Sequence, residues 1–363
     1  MFRLILFPLV IVITIAISGF LVLRWDMASY FYHLAAGQYR IIAARQPIRE
    51  MIEDPGTDAL LRESLKQVQA IRAFAEKEMK LPSEGQFLYY VDHGRPQAVW
   101  NVYAAPELSM RPKTWCFPIA GCTVYKGFFD FEKASALADE LRSEGYDVHI
   151  SGAGGYSTLG WFSDPIFRNI LKRGEIAVAA YIFHELAHNR IYIRGDTRFN
   201  EGFAVAVEQE GVRRWLEHTG RVDRFDEFVA RQRRRARFAS LVRDTRTGLS
   251  ALYTQAGEDE SPDEIRRRKA AMFEQMQTQY LDLKTAWHGY EGYDWYFGIP
   301  LNNARLIPIG AYYDHVPGFT AMIRAADGNM EAFYEAVETL SRKPRLERDR
   351  ILAQFAREEI HRH

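Results

Sequence analysis

Residues 181–188 read Tyr-Ile-Phe-His-Glu-Leu-Ala-His. On a helix, residues four apart lie one turn above each other, so His184 and His188 can both present imidazole to a single Zn²⁺. Glu185 sits one step round that helix, where it can reach a water activated by the ion and act as its general base. The five residues Ile176 to Ala180 are apolar, so this stretch should be buried, and buried polar groups require partners. A catalytic zinc takes three protein ligands and leaves the fourth position open for water. The third ligand is read from the helix that opens after Arg194-Gly195-Asp196 with Asn200-Glu201-Gly202-Phe203-Ala204. Its apolar positions Phe203, Val207 and Trp215 let it pack back on the first helix and bring Glu201 to the metal. Glu208 lies seven residues further on, nearly on the same face, and is either a hydrogen-bond partner of a ligand histidine or a solvated carboxylate.

The elements that must hold these residues come from a 363-residue chain that is 47% hydrophobic and 26% charged, which excludes disorder and collagen-like repetition. Lys plus Arg and Asp plus Glu are equal at 47 each, so no overall field argues for nucleic acid as a partner. Two cysteines, Cys116 and Cys122, are too few for a four-cysteine metal site; they are read as a small disulfide loop or as two buried thiols. Residues 4–23 are uncharged and apolar, flanked by Arg3 and Arg24, long enough to span a bilayer as a helix. Ala16-Ile17-Ser18 before Gly19 is a weak cleavage signal, but the length of the run favours a retained anchor with the rest exported to the periplasm. Residues 26–363 then form a single domain: helical over 27–81, a sheet region over 86–150, metal-site helices over 175–218 and a helical part over 221–363. This is an α+β fold, mainly helical with a small β-sheet. The run Arg231-Gln232-Arg233-Arg234-Arg235-Ala236-Arg237 goes round a helix without interleaved aromatics and reads as a solvated face.

The strings HELAHNRIYIRGDTRFNEGFAVAVEQEGVRRW, KTWCFPIAGCTVYKGFF and GGYSTLGWFSDP together resemble a bacterial family of predicted zinc aminopeptidases, over roughly Ala35 to beyond Tyr313. The layout is similar to that of the gluzincins, the thermolysin-like metallopeptidases, and implies a zincin-like fold. By that resemblance one Zn²⁺ is held by His184, His188 and Glu201, and Glu185 is the catalytic base. The chain departs from thermolysin four residues after the ligand glutamate, where an aspartate is replaced by Val205. It also has Ser18-Gly19-Phe20 where lipoprotein members of the family carry Ser-Gly-Cys, so lipid anchoring is not expected. Amide hydrolysis needs an electrophile for the developing oxyanion, for which Tyr312, Tyr313 and Tyr156 are candidates. An aminopeptidase must also pair the substrate ammonium with a carboxylate. Gluzincin aminopeptidases carry one on a substrate-lining strand, which here suggests Glu107, at the end of Asn101 to Glu107; an ordinary turn carboxylate is the competing reading. The expectation is a membrane-anchored zinc aminopeptidase acting on peptides, bound to the inner membrane through residues 4–23. The alternatives are a zinc endopeptidase and a non-catalytic envelope protein with the same fold.

Overall fold

The computed structural model describes residues 27–117, 121–155, 163–256, 260–309 and 315–360. The apolar segment 4–23 and the candidates Tyr156, Tyr312 and Tyr313 lie outside the described residues. Among the described residues no helix is long and apolar enough to cross a membrane.

The chain opens with helix α1 (27–43), followed by β1 (Gln46–Pro47), α2 (Ile48–Glu53) and α3 (Ala59–Lys77). In α3 the residues Leu65, Val68, Ile71, Phe74 and Ala75 are buried at successive steps of three, three, three and one, which is the apolar stripe its sequence period requires. Asp58 caps it by accepting a hydrogen bond from the Leu61 N–H. Next come β2 (Tyr89–Val91), β3 (Val99–Pro106), β4 (Trp115–Phe117), β5 (Gly121–Thr123) and β6 (Lys126–Phe128). Helix α4 (Phe131–Ser143) leads to β7 (Tyr146–Ala153), and β8 (Ile166–Phe167) follows. The remaining elements are helical: α5 (Arg168–Leu171), α6 (Glu175–Arg190), α7 (Thr197–His218), α8 (Phe225–Gln255), α9 (Pro262–Ala286), α10 (Asp294–Phe297), α11 (Val316–Ala325), α12 (Met330–Ser341) and α13 (Arg345–Ile360). The architecture is α+β and mostly helical.

The strand region is divided differently from the sequence reading, which expected one small sheet. The strands form three: β1-β2-β8, β6-β3-β7 and the β4-β5 hairpin. The crossover through α4 carries the chain from β6, on one side of β3, to β7 on the other, so β3 becomes a central strand antiparallel to both. α4 covers this sheet with Ala134, Ala138 and Leu141, packed with Val102, Ala104 and Val148. Strand β2 finds its parallel partner β8 only much later in the chain, a pairing that local patterning does not reveal.

A large apolar core joins α3, α6, α7, α11 and α12, and a second core joins α8, α9 and α10. Helix α6 runs through the first core and is apolar nearly all round, with Ile176, Val178, Ala179, Ile182, Phe183, Leu186 and Ala187 buried. Glu175 in its first turn accepts the Trp215 indole N–H at 2.9 Å and pairs with Arg221, fixing that end to α7. Gly211 lets the two helices approach closely, because a Cβ there would lie 2.6 Å from the Phe183 ring.

Candidate active site

Helices α6 and α7 bring His184, His188 and Glu201 together, with one donor atom from each lying within 4.8 Å of the others. His184 Nε2 lies 3.4 Å from Glu201 Oε2, and His188 Nε2 lies 3.6 Å from Glu201 Oε1. A tetrahedral ion with bonds of about 2.0–2.1 Å needs ligand edges of about 3.3–3.5 Å, so each histidine stands nearly at that spacing from one Glu201 oxygen. Two imidazoles and a carboxylate are a donor set suited to a divalent transition ion with an open position. His188 Nδ1 is buried without a hydrogen-bond partner.

His184 is oriented from behind. Its Nδ1 lies 3.1 Å from Glu208 Oε2, and the other Glu208 oxygen accepts from Gln232 Nε2 of α8 at 3.0 Å. With its proton on Nδ1 held by Glu208, the imidazole turns Nε2 towards Glu201 and His188. Burial draws the His184 imidazole down, but the carboxylates of Glu201 and Glu208 outweigh it and push it up to about 10. Burial and the adjacent His184 charge push His188 down to about 4. One imidazole therefore carries a proton between two carboxylates while its neighbour is neutral, an environment that favours positive charge at the point where the donors converge.

Asn200 fixes the start of α7. Its side chain accepts from the Ile193 N–H and donates to the Ile193 carbonyl, both at 2.8 Å, clamping the loop between the two metal-site helices. Asp196 caps α7 by accepting from the Phe199 N–H at 3.3 Å and pairs with Arg348 of α13. Gly202, beside Glu201, leaves room for His315, whose Cβ would lie 2.9 Å from a Cβ at that position.

A cavity of about 420 Å³ opens over His184 and Glu185 along the amino-terminal half of α6. A family model described as "Putative aminopeptidase" matches residues 29–352. The chain belongs to this family. Membership supports a peptidase role. No curated protein and no solved structure matches the chain.

In this family member the remaining sequence candidates are placed by other elements. Glu107 is not brought to the metal donors: both its oxygens accept from Arg266 of α9, at 2.8 and 2.9 Å. It follows the end of β3, four residues or roughly 13 Å of extended chain beyond Tyr103. Tyr103 and Asn101, in mid-strand, line a second cavity that shares Arg235 and Tyr293 with the cavity over the metal donors. Tyr125, passed over in the sequence, packs its ring 5.6 Å from that of Tyr103. Its hydroxyl is held above the ordinary tyrosine value by burial, then by the charges of Tyr192 and Glu201. Cys116 and Cys122 face each other across the β4-β5 hairpin and are joined as a disulfide. The arginine run is not a uniformly solvated face, since Arg231 and Arg235 line the cavity over Glu185. Asn200 and Gln232 were legible only as helix residues, because what they hold lies on other elements.

Proposed function

We propose that this chain is a zinc-dependent peptidase of the aminopeptidase type, with His184, His188 and Glu201 as zinc ligands and Glu185 as general base. The observation that carries the reading is the convergence of these three donors beside a cavity that Glu185 also lines. Bound there, Zn²⁺ would supply Lewis acidity, acidifying a water and polarising the scissile carbonyl. Glu185 takes the proton released as that water attacks and returns it to the leaving amine. Glu208 keeps His184 in the tautomer that ligates, and Gln232 keeps Glu208 in place. Apolar residues of α6, Ala177 and Ala180 among them, line the cavity in which the peptide would lie.

The test is metal analysis joined to a peptide screen with free and blocked amino termini. Glu185→Gln should retain about one zinc per chain and lose turnover by a factor of about a hundred to ten thousand. A folded Glu185→Gln protein without metal would refute the division of roles, and equal turnover of blocked and free amines would make the enzyme an endopeptidase. We extend the reading to the amino-terminal end, where residues 4–23 anchor the chain in the inner membrane with the catalytic part in the periplasm. Carbonate extraction should leave the full chain in the membrane fraction and release a chain lacking residues 1–25.

A further inference from the structure

The cavity over the metal donors is cationic. Arg173, Arg231 and Arg235 line it, against two carboxylates, Glu185 and Glu208. Glu208 is already engaged by His184 and Gln232. Arg231 and Arg235 stand four residues apart on α8, hence one turn apart on the same face. Several partly buried arginines elsewhere are paired: Arg213 and Arg214 with Glu210, and Arg221 with Glu175. Arg231 is half-buried, and among the described residues the side chain of neither it nor Arg173 makes a hydrogen bond or an ion pair. A guanidinium that is partly desolvated without an anion is a cost that a bound anion relieves. Its planar fork matches a carboxylate with two parallel hydrogen bonds. A bound divalent ion would add further positive charge to the same space, so nothing in this cavity favours a cationic ligand. The rest of the lining combines apolar residues, Ile176, Ala177, Ala180 and Phe228, with the tyrosines Tyr181, Tyr290 and Tyr293, and 420 Å³ lies within the usual range for a small-ligand site.

Resting on the peptidase reading, we propose that this cavity binds a carboxylate of the substrate, Arg231 and Arg173 being its anchors. The preferred substrates are short peptides in which a carboxylate lies within about one residue of the scissile bond. That carboxylate is either the free C-terminus of a short peptide or an acidic side chain. On this reading the cavity takes the leaving side of the bond, and the carboxylate that pairs the substrate ammonium lies outside it.

The experiment uses full-length zinc-loaded protein carrying Glu185→Gln, titrated calorimetrically so that binding is read without turnover. One arm compares Ala-Ala with Ala-Ala amide, and the other compares Ala-Glu amide with Ala-Gln amide. A preference of about tenfold to a hundredfold for the carboxylate-bearing peptide is expected in one arm, and the arm in which it occurs names the source. In the same background Arg231→Gln should abolish the preference and Arg231→Lys should restore part of it. Equal binding in both arms, binding of none of the four peptides, or a preference untouched by Arg231→Gln and Arg173→Gln overturns the proposal. Selective binding by this protein together with no hydrolysis by the zinc-loaded wild type would instead overturn the peptidase reading and leave the carboxylate site standing.

Discussion

Glu208 bears on the proposed metal site without being one of its candidate ligands. It is buried, and its two oxygens are divided between His184 Nδ1 and Gln232 Nε2. Glu208→Ala should leave the fold intact yet weaken zinc binding by about tenfold to a hundredfold, read by competition with a chelator of known affinity. Unchanged affinity would reduce Glu208 to a packing residue. A second residue-scale prediction concerns His149, on β7 beside Tyr103 and Arg305. Burial first, then the Arg305 charge, pushes it from 6.5 down to about 4. Because the folded chain resists the proton that the unfolded chain accepts, the contribution of His149 to stability is complete above about pH 6.5. It is lost as the pH falls towards 4, by about 3 kcal/mol at most. Urea unfolding between pH 4 and 7 should show a shallower decline for His149→Gln than for the wild type; identical slopes would exclude this histidine as the source.

At the scale of elements the site depends on two helices held at a fixed separation. α7 alone carries Asn200, Glu201, Gly202, Glu208 and Gly211, so one helix supplies the loop clamp, a candidate ligand, the support of another and the contact surface. Gly211 meets Phe183, the residue before His184, with no room for a Cβ between them. Phe183 is fully buried and has no space into which to turn. Gly211→Ala should therefore cost about 1–3 kcal/mol in urea unfolding and also lower zinc affinity, because relief of the clash moves α6. Lost stability with unchanged zinc affinity would show that His184 is positioned independently of this contact. The spacing of His184 and His188 was legible in the sequence because helix periodicity is a local property of the chain. The glycine contact was not, since Phe183 and Gly211 meet only through the packing of α6 on α7.

At the scale of the whole molecule the donors lie on α6 and α7, in the first apolar core, and are braced by Gln232 and flanked by Arg231 and Arg235 on α8, which contributes to the second. A metal that binds only the folded chain stabilises it, by about 4 kcal/mol when its free concentration is a thousand times its dissociation constant. Chelation should therefore lower the Tm by several degrees and added Zn²⁺ should restore it, while Glu201→Gln should nearly abolish the difference. A Tm indifferent to chelator in the wild type would refute a tightly held ion. The sequence by itself determined the α+β class, the pairing of His184 with His188, the place of Glu185 beside them and Glu201 as the next donor, because each rests on periodicity within one or two helices. Only the tertiary structure decided that Glu107 pairs with Arg266, 159 residues away, and that two of the five arginines of the 231–237 run line the cavity over the candidate metal donors. Those outcomes depend on which faces of distant elements dock, and that is settled by packing of the whole chain, not by any local repeat.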